Sequence, residues 1–167
     1  RLHSDKDQAT LIDGFAKALP RLPSNSLLAI AGTGPLEQSL RSHAARLGID
    51  DKVLFLGQVP NARRKFRAFD CFALTSDHEP FGMVLLEAMA AELPIVCSDC
   101  GGAPEVIAGA GWLFPLGNSD ALAEQLVAIS SEPSAVEYPL LDMEFSDAAA
   151  KRRFWSLADR WGIESAK

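Results

Sequence analysis

Much that would assign a function quickly is missing from this chain. No apolar run approaches the ~18 residues needed to span a bilayer, and no secretory leader pattern is visible. Cysteine is scarce: three in 167 residues, an odd number that suits a reducing compartment better than a disulfide framework. Basic charge is not in excess. The 16 Lys and Arg stand against 22 Asp and Glu, a net charge of −6, which argues against an extended nucleic-acid surface. Paired aspartates at metal-ligand spacing are missing, so no tightly bound catalytic metal is expected. Cys97-x-x-Cys100 has no second ligand pair to complete a zinc site. His3, His43 and His78 lack the neighbours of a catalytic triad. Gly32-x-Gly34 follows an apolar run, but the third glycine of a dinucleotide fingerprint is replaced by Glu37, whose carboxylate would repel a pyrophosphate. A soluble cytoplasmic domain without a prosthetic group is the expectation.

What is present is a regular alternation of elements. The length suits one compact domain, burying roughly 68–70% of its extended surface. Leu11, Ile12, Phe15, Ala18 and Leu19 recur at helical spacing over 7–19, and Pro20 ends that helix. The run at 27–31 is apolar throughout, as in a strand buried on both faces. Leu36, Leu40, Ala44 and Leu47 form a second helical stripe, with Pro35 in its first turn and Gly48 closing it. Further strands are predicted at 53–56, 71–74, 95–97 and 112–114. Short helices are predicted at 61–69, capped by Asn61, and at 104–108; a longer one covers 120–130. A loop follows at 132–141, then a last helix over about 146–162. Alternating strands and helices imply an α/β fold, a Rossmann-like parallel sheet flanked by helices. Ligands of such sheets lie outside the carboxyl ends of the strands. Residues 32–35, 57–60, 76–82 and 98–102 all fall there.

The stretch from Thr75 to Ala91 is the most informative. It leaves a strand as a polar loop and enters a helix near Phe81 or Gly82. Between Phe81 and Ala91 the one charged residue is Glu87, so the helix is expected to be buried and its carboxylate to need a partner. Glu79 precedes the helix start, where the free amides of Gly82, Met83 and Val84 favour an anion. Gly82 has no Cβ to keep a ligand from the backbone. Glu87 shares a face with Met83 at i, i+4. Two readings fit these residues. One is a phosphate seat with two carboxylates to accept sugar hydroxyls; in the other, Glu79 helps cap the helix and Glu87 pairs with an Arg or Lys.

The spacing Glu79-x7-Glu87, set in S-x2-E-P-F-G-x4-E-A-M-A, resembles the signature of family 4 retaining glycosyltransferases. The resemblance implies the C-terminal half of a GT-B enzyme, with the donor a nucleotide-diphosphate sugar. It implies that Glu79, the catalytic candidate, contacts the donor sugar. Glu87 would contact the ribose, while the helix start at Phe81, Gly82, Met83 and Val84 holds the diphosphate. Arg1-Leu2 followed by Lys6 is similar to the family's Gly-Arg-Leu…Lys-Gly segment, which implies that Arg1 and Lys6 neutralise that diphosphate. Asp7 departs from the family's usual glycine. Gly32 fits a loop beside the donor cleft, and Phe55-Leu56-Gly57-Gln58-Val59 implies that Gly57 and Val59 border the base. Gly101-Gly102-x-Pro104-Glu105 is similar to a further family segment, though Glu105 equally fits a helix-capping role. Glu92 stands where relatives usually have glycine; if left-handed there, it costs roughly 1–2 kcal/mol.

The resemblance covers residues 1 to about 126, and more loosely the last helix. It implies one donor-binding domain over 1–167, with the acceptor-binding N-terminal domain of the same enzyme not represented. The activity implied is sugar transfer to a glycan or lipid-linked acceptor, in bacterial cell-surface polysaccharide or lipopolysaccharide synthesis. A GT-B phosphorylase or synthase, and a non-catalytic nucleotide-sugar-binding module, share these features. Arg63-Arg64-Lys65 with Arg67 reads as a solvated basic face, with peripheral contact to an anionic membrane as the alternative.

Overall fold

The computed structural model describes residues 1–77, 82–107, 109–131, 136 and 138. Five parallel strand segments alternate with helices: β1 Leu28–Ala31, β2 Val53–Gly57, β3 Phe72–Leu74, β4 Ile95–Ser98 and β5 Trp112–Phe114. The helices are α1 Gln8–Ala18, α2 Glu37–Arg46, α3 Met83–Met89, α4 Ala103–Ile107 and α5 Ser119–Ser131. The loop predicted at 132–141 lies outside the described residues apart from Val136 and Tyr138, and the last helix lies wholly outside them.

β1 pairs with β2, Leu28 opposite Val53. β3, β4 and β5 form a second parallel group, with Phe72 opposite Ile95 and Val96 opposite Trp112. One core spans both groups, because Leu28 packs both against the cluster that holds Ile12 and Phe15 and against the one that holds Val96, Phe114 and Leu122. The sheet is Rossmann-like, with helices flanking it. The run at 27–31 is not buried on both faces as expected: within β1 only Ile30 is buried and Leu27 before it is exposed, whereas all four residues of β4 are buried. In β2, Leu54 and Leu56 are exposed, because its outer face has no helix against it among the described residues.

α1 forms because its apolar residues repeat at helical spacing and its first turn is capped. The Asp7 carboxylate accepts the Thr10 amide at 3.3 Å and the Thr10 hydroxyl at 2.6 Å. Its buried face carries Leu11, Ile12, Phe15 and Ala18, each large aliphatic worth about 1.5–3 kcal/mol on burial. α5 lies against α1 so closely that a Cβ added at Gly14 would stand 2.7 Å from Leu122 Cδ2. Pro35 falls just before α2 rather than in its first turn. The segment predicted as a short helix at 61–69 is a 3-10 helix, Ala62–Ala68. Asn61 caps it through its carbonyl, which accepts the Arg64 amide at 2.9 Å, and not through its side chain.

Candidate functional site

The carboxyl ends of the strands are drawn together by backbone hydrogen bonds. Gly32 N–H donates to the Gly57 carbonyl at 2.7 Å, tying the exit of β1 to that of β2. The segment Arg1–Asp7 is laid across these exits. Leu2 is fully buried and donates its amide to the Thr33 carbonyl at 3.0 Å. Its own carbonyl passes so near Gly34 that an added Cβ there would run into it, which is why that position needs glycine. Further along, the Thr75 hydroxyl donates to the Lys6 carbonyl at 2.8 Å, and Asp77 N–H to the Asp5 carbonyl at 3.1 Å. The Ser98 hydroxyl donates to the Ser76 carbonyl at 2.6 Å, and the Cys100 thiol to the Asp77 carbonyl at 2.8 Å. The exits of β1, β2, β3 and β4 thus meet as the sequence predicts, with residues 1–7 as the strap over them.

That strap carries cations. Arg1 is exposed and its carbonyl accepts from Gln8 Nε2 at 2.9 Å; Lys6 is half-buried, its Nζ 4.0 Å from the Asp5 carboxylate. Burial would raise the Asp5 carboxyl. The His3 hydrogen bond at 2.7 Å and the charges of Lys6, His3 and Arg1 outweigh that and hold it below its ordinary range. Two polar atoms at this edge, Gln8 Oε1 and Ser76 Oγ, are buried and find no hydrogen-bond partner among the described residues.

α3 follows the exit of β3. Gly82 precedes it with φ +58°, and a Cβ there would meet Leu85 Cδ1 at 2.8 Å. Glycine is therefore required by backbone conformation and by packing on Leu85, independently of any ligand. The Gly82 carbonyl accepts from Leu85 and Leu86, so the amides of Met83 and Val84 lie ahead of the helical ladder. The helix is not buried all round, as its composition suggests. Leu85, Ala88 and Met89 enter the core. The opposite face holds Glu87, which is exposed, and Met83, which is 64% exposed. The carboxylate therefore keeps its water and needs no partner, which corrects the expectation drawn from the lone charge. The predicted i, i+4 relation of Met83 and Glu87 stands, on the open face.

That face looks into a cleft of about 570 Å³. Met83, Leu86, Ala90 and Ala91 form one side together with Glu87; Arg63, Arg64 and Arg67 of the 3-10 segment form the other. Arg1 and Lys6 do not line it. All three arginines are exposed, as a solvated basic face requires, and they also border this cleft. Arg64 and Arg67 are three apart, which places them side by side on a 3-10 helix, but nothing local shows that α3 stands opposite. Val59 is half-buried beyond Gly57. Glu79 and Phe81 lie outside the described residues. Among the described residues no cluster of three His, Cys, Asp or Glu side chains is placed to hold a metal ion, and no helix is long and apolar enough to cross a membrane. Burial, reinforced by Asp99, pushes the Cys97 thiol up to about 12, so the Cys97/Cys100 pair is not a poised thiolate couple.

A family model described as glycosyl transferases group 1 matches residues 1–152. The chain is 35% identical over 121 residues to N-acetyl-alpha-D-glucosaminyl L-malate synthase of Bacillus anthracis, covering 71% of this chain and 31% of that protein. It is 33% identical over 113 residues to the lipopolysaccharide core biosynthesis mannosyltransferase LpsB of Rhizobium meliloti, covering 65% and 32%. The chain thus spans about a third of the length of the curated relatives it matches. Among solved structures, HepE of Anabaena in complex with UDP superposes with a TM-score of 0.81 at 26% identity, over 95% of this chain and 47% of that one. The chain belongs to the group 1 glycosyl transferases and has the fold of the C-terminal domain of a GT-B glycosyltransferase.

Proposed function

We propose that this chain is the donor-binding domain of a family 4 retaining glycosyltransferase, which moves a sugar from a nucleotide-diphosphate donor to a glycan or lipid-linked acceptor. Bacterial cell-surface polysaccharide or lipopolysaccharide synthesis is the setting, in line with the mannosyltransferase relative. One observation carries it: the strap Arg1–Asp7 is hydrogen-bonded across the exits of β1 and β3, bringing Arg1 and Lys6 to the strand edge that leads into α3. There they meet the negative charge that grows on the diphosphate as the sugar–oxygen bond breaks. Glu87, on the open face of α3, accepts hydrogens from the ribose; Glu79 positions the sugar. Gly32, Gly57 and Val59 border the nucleoside, and Phe81, Gly82, Met83 and Val84 supply the turn that seats the phosphates. A further domain brings the acceptor, so residues 1–167 alone transfer little or no sugar. The full enzyme works at the cytoplasmic side, at the inner face of the membrane when its acceptor is a lipid.

Calorimetric titration of UDP, GDP and the matching nucleosides into the 167-residue chain tests this. Lys6→Ala should weaken a nucleoside diphosphate about tenfold, the scale of a lost charge-assisted contact. The nucleoside should be nearly unaffected, and added salt should narrow the gap. Equal losses for nucleoside and diphosphate would show that Lys6 does not meet phosphate.

A further inference from the structure

Resting on the nucleotide-sugar assignment above, we infer that Ser98 and Cys100, at the exit of β4, are positioning residues for donor recognition: together they fix the loop that leaves β3 and so set where Glu79 meets the sugar. Glu79 stands two residues beyond Asp77 along the chain. Its placement depends on how firmly the backbone at 75–77 is held.

That backbone is held from two sides. On one, the strap accepts the Thr75 hydroxyl at the Lys6 carbonyl and the Asp77 amide at the Asp5 carbonyl. On the other, β4 supplies side-chain donors to two successive carbonyls. The Ser98 hydroxyl donates to that of Ser76 at 2.6 Å, and the Cys100 thiol to that of Asp77 at 2.8 Å. Parallel pairing brings them there, since Leu74 lies opposite Cys97 and the residues that follow leave the sheet side by side. The β4 side is a firm base. Asp99 donates its amide to the Phe114 carbonyl at 2.8 Å, which pins the β4 exit to β5. Ser98 is 1% exposed and Ser76 2%, so water cannot readily replace a lost donor.

The start of α3 has a different anchor. Leu85, Ala88 and Met89 hold that helix in the core, and Gly82 packs on Leu85. Loosening the loop should therefore move Glu79 while the seat of the phosphates stays in place. The two donors act on recognition of the sugar, not of the nucleotide. A merely structural role would lower stability without separating those two ligands.

The test is calorimetry on the 167-residue chain with UDP and GDP, and with UDP-glucose, UDP-N-acetylglucosamine and GDP-mannose. In Ser98→Ala/Cys100→Ala the nucleotide sugar that the parent chain binds should weaken about tenfold, the scale of a lost carboxylate contact, while its nucleoside diphosphate stays within about threefold. Cys100→Ser keeps a donor at the same place and should leave both affinities within about twofold. On a Glu79→Ala background the carboxylate is already gone, so the double replacement should cost no more than about twofold further. Thermal unfolding checks that the variants fold. Should the double variant unfold, Cys100→Ala alone, at a half-buried position, carries the same comparison at about threefold with the nucleotide unchanged. A lowered midpoint with unchanged affinities would show that the two donors only stabilise the edge. Equal losses for nucleotide and nucleotide sugar would show that they hold the phosphate seat, and a loss that persists in full on the Glu79→Ala background would show that they do not act through Glu79. Each of these overturns the inference while leaving the donor site standing. If the parent chain binds none of the five ligands, the nucleotide-sugar assignment itself fails.

Discussion

Glu92→Gly should make the protein more stable, although it removes a side chain and adds nothing. After α3 the chain closes with two reversed hydrogen bonds, Leu93 N–H to the Ala88 carbonyl at 3.2 Å and Glu92 N–H to the Met89 carbonyl at 2.9 Å. This is the six-to-one and five-to-two pattern of a Schellman ending, in which the residue at Glu92's position is left-handed. Its φ is indeed +60°. A residue with a Cβ is disfavoured in that well by about 1–2 kcal/mol. Glycine removes that cost but gains freedom in the unfolded chain, returning about 0.4–1 kcal/mol of it. The balance is close to 1 kcal/mol in favour of the glycine variant, or roughly 2–4 °C in the unfolding midpoint for a chain of this size. The Glu92 side chain is exposed and makes no ion pair among the described residues, so its removal costs little. Thermal and denaturant unfolding of Glu92→Gly beside Glu92→Ala would measure this. Alanine keeps the Cβ and should give no gain. If alanine stabilises as much as glycine, the strain is not in the backbone and the account is wrong.

Two other outcomes follow from the packing. Gly34→Ala should cost about 1–3 kcal/mol of stability, since its methyl meets the Leu2 carbonyl rather than a yielding side chain, and it should weaken UDP binding by displacing the strap; a normal unfolding midpoint with normal UDP affinity would refute the close approach. Cys71 and Cys97, whose thiols burial pushes up to about 12, leave roughly one molecule in ten thousand as thiolate at about pH 8, so iodoacetamide on the folded protein should label Cys100 first, and peptide mapping that finds Cys97 labelled first would contradict its burial.

Legibility in the sequence depended on how far the deciding atoms lay along the chain. The five strands and the helical stripes were readable because a period of 3.6, or an unbroken apolar run, is a local property. Leu11, Ile12 and Phe15 do face the core, and Trp112–Phe114 is a strand as predicted. The burial of Glu87 was misjudged because counting charges in a helix does not reveal which of its faces is covered; Leu85 and Met89 satisfy the core, and the other face is left open. Gly82 suggested room for a ligand, whereas Leu85 fills the place a Cβ would take. The arginines at 63, 64 and 67 acquire an environment only from α3, some twenty residues on, and nothing in a basic run forecasts a cleft. The run at 27–31 reads as buried on both faces because an edge strand and a central one can share composition; the exposure of Leu27 and Ala31 is a matter of neighbours.

Glycine occupies the family's usual place at neither Asp7 nor Glu92, and both positions are left-handed, with φ +42° and +60°. The same departure has different physical weight in the two. Asp7 recovers part of its cost, because its carboxylate takes both the amide and the hydroxyl of Thr10 and so starts α1. An aspartate also tolerates this conformation better than most side chains. Glu92 has no such return. Asp7 also ends the strap, one residue after Lys6, so the bonds that start α1 also fix where the Lys6 backbone lies. Leu2 anchors the other end through Thr33. The strap's course is therefore set by backbone contacts at Leu2, Asp5 and Lys6 and by the Asp7 cap, while the Lys6 ammonium lies 4.0 Å from the Asp5 carboxylate.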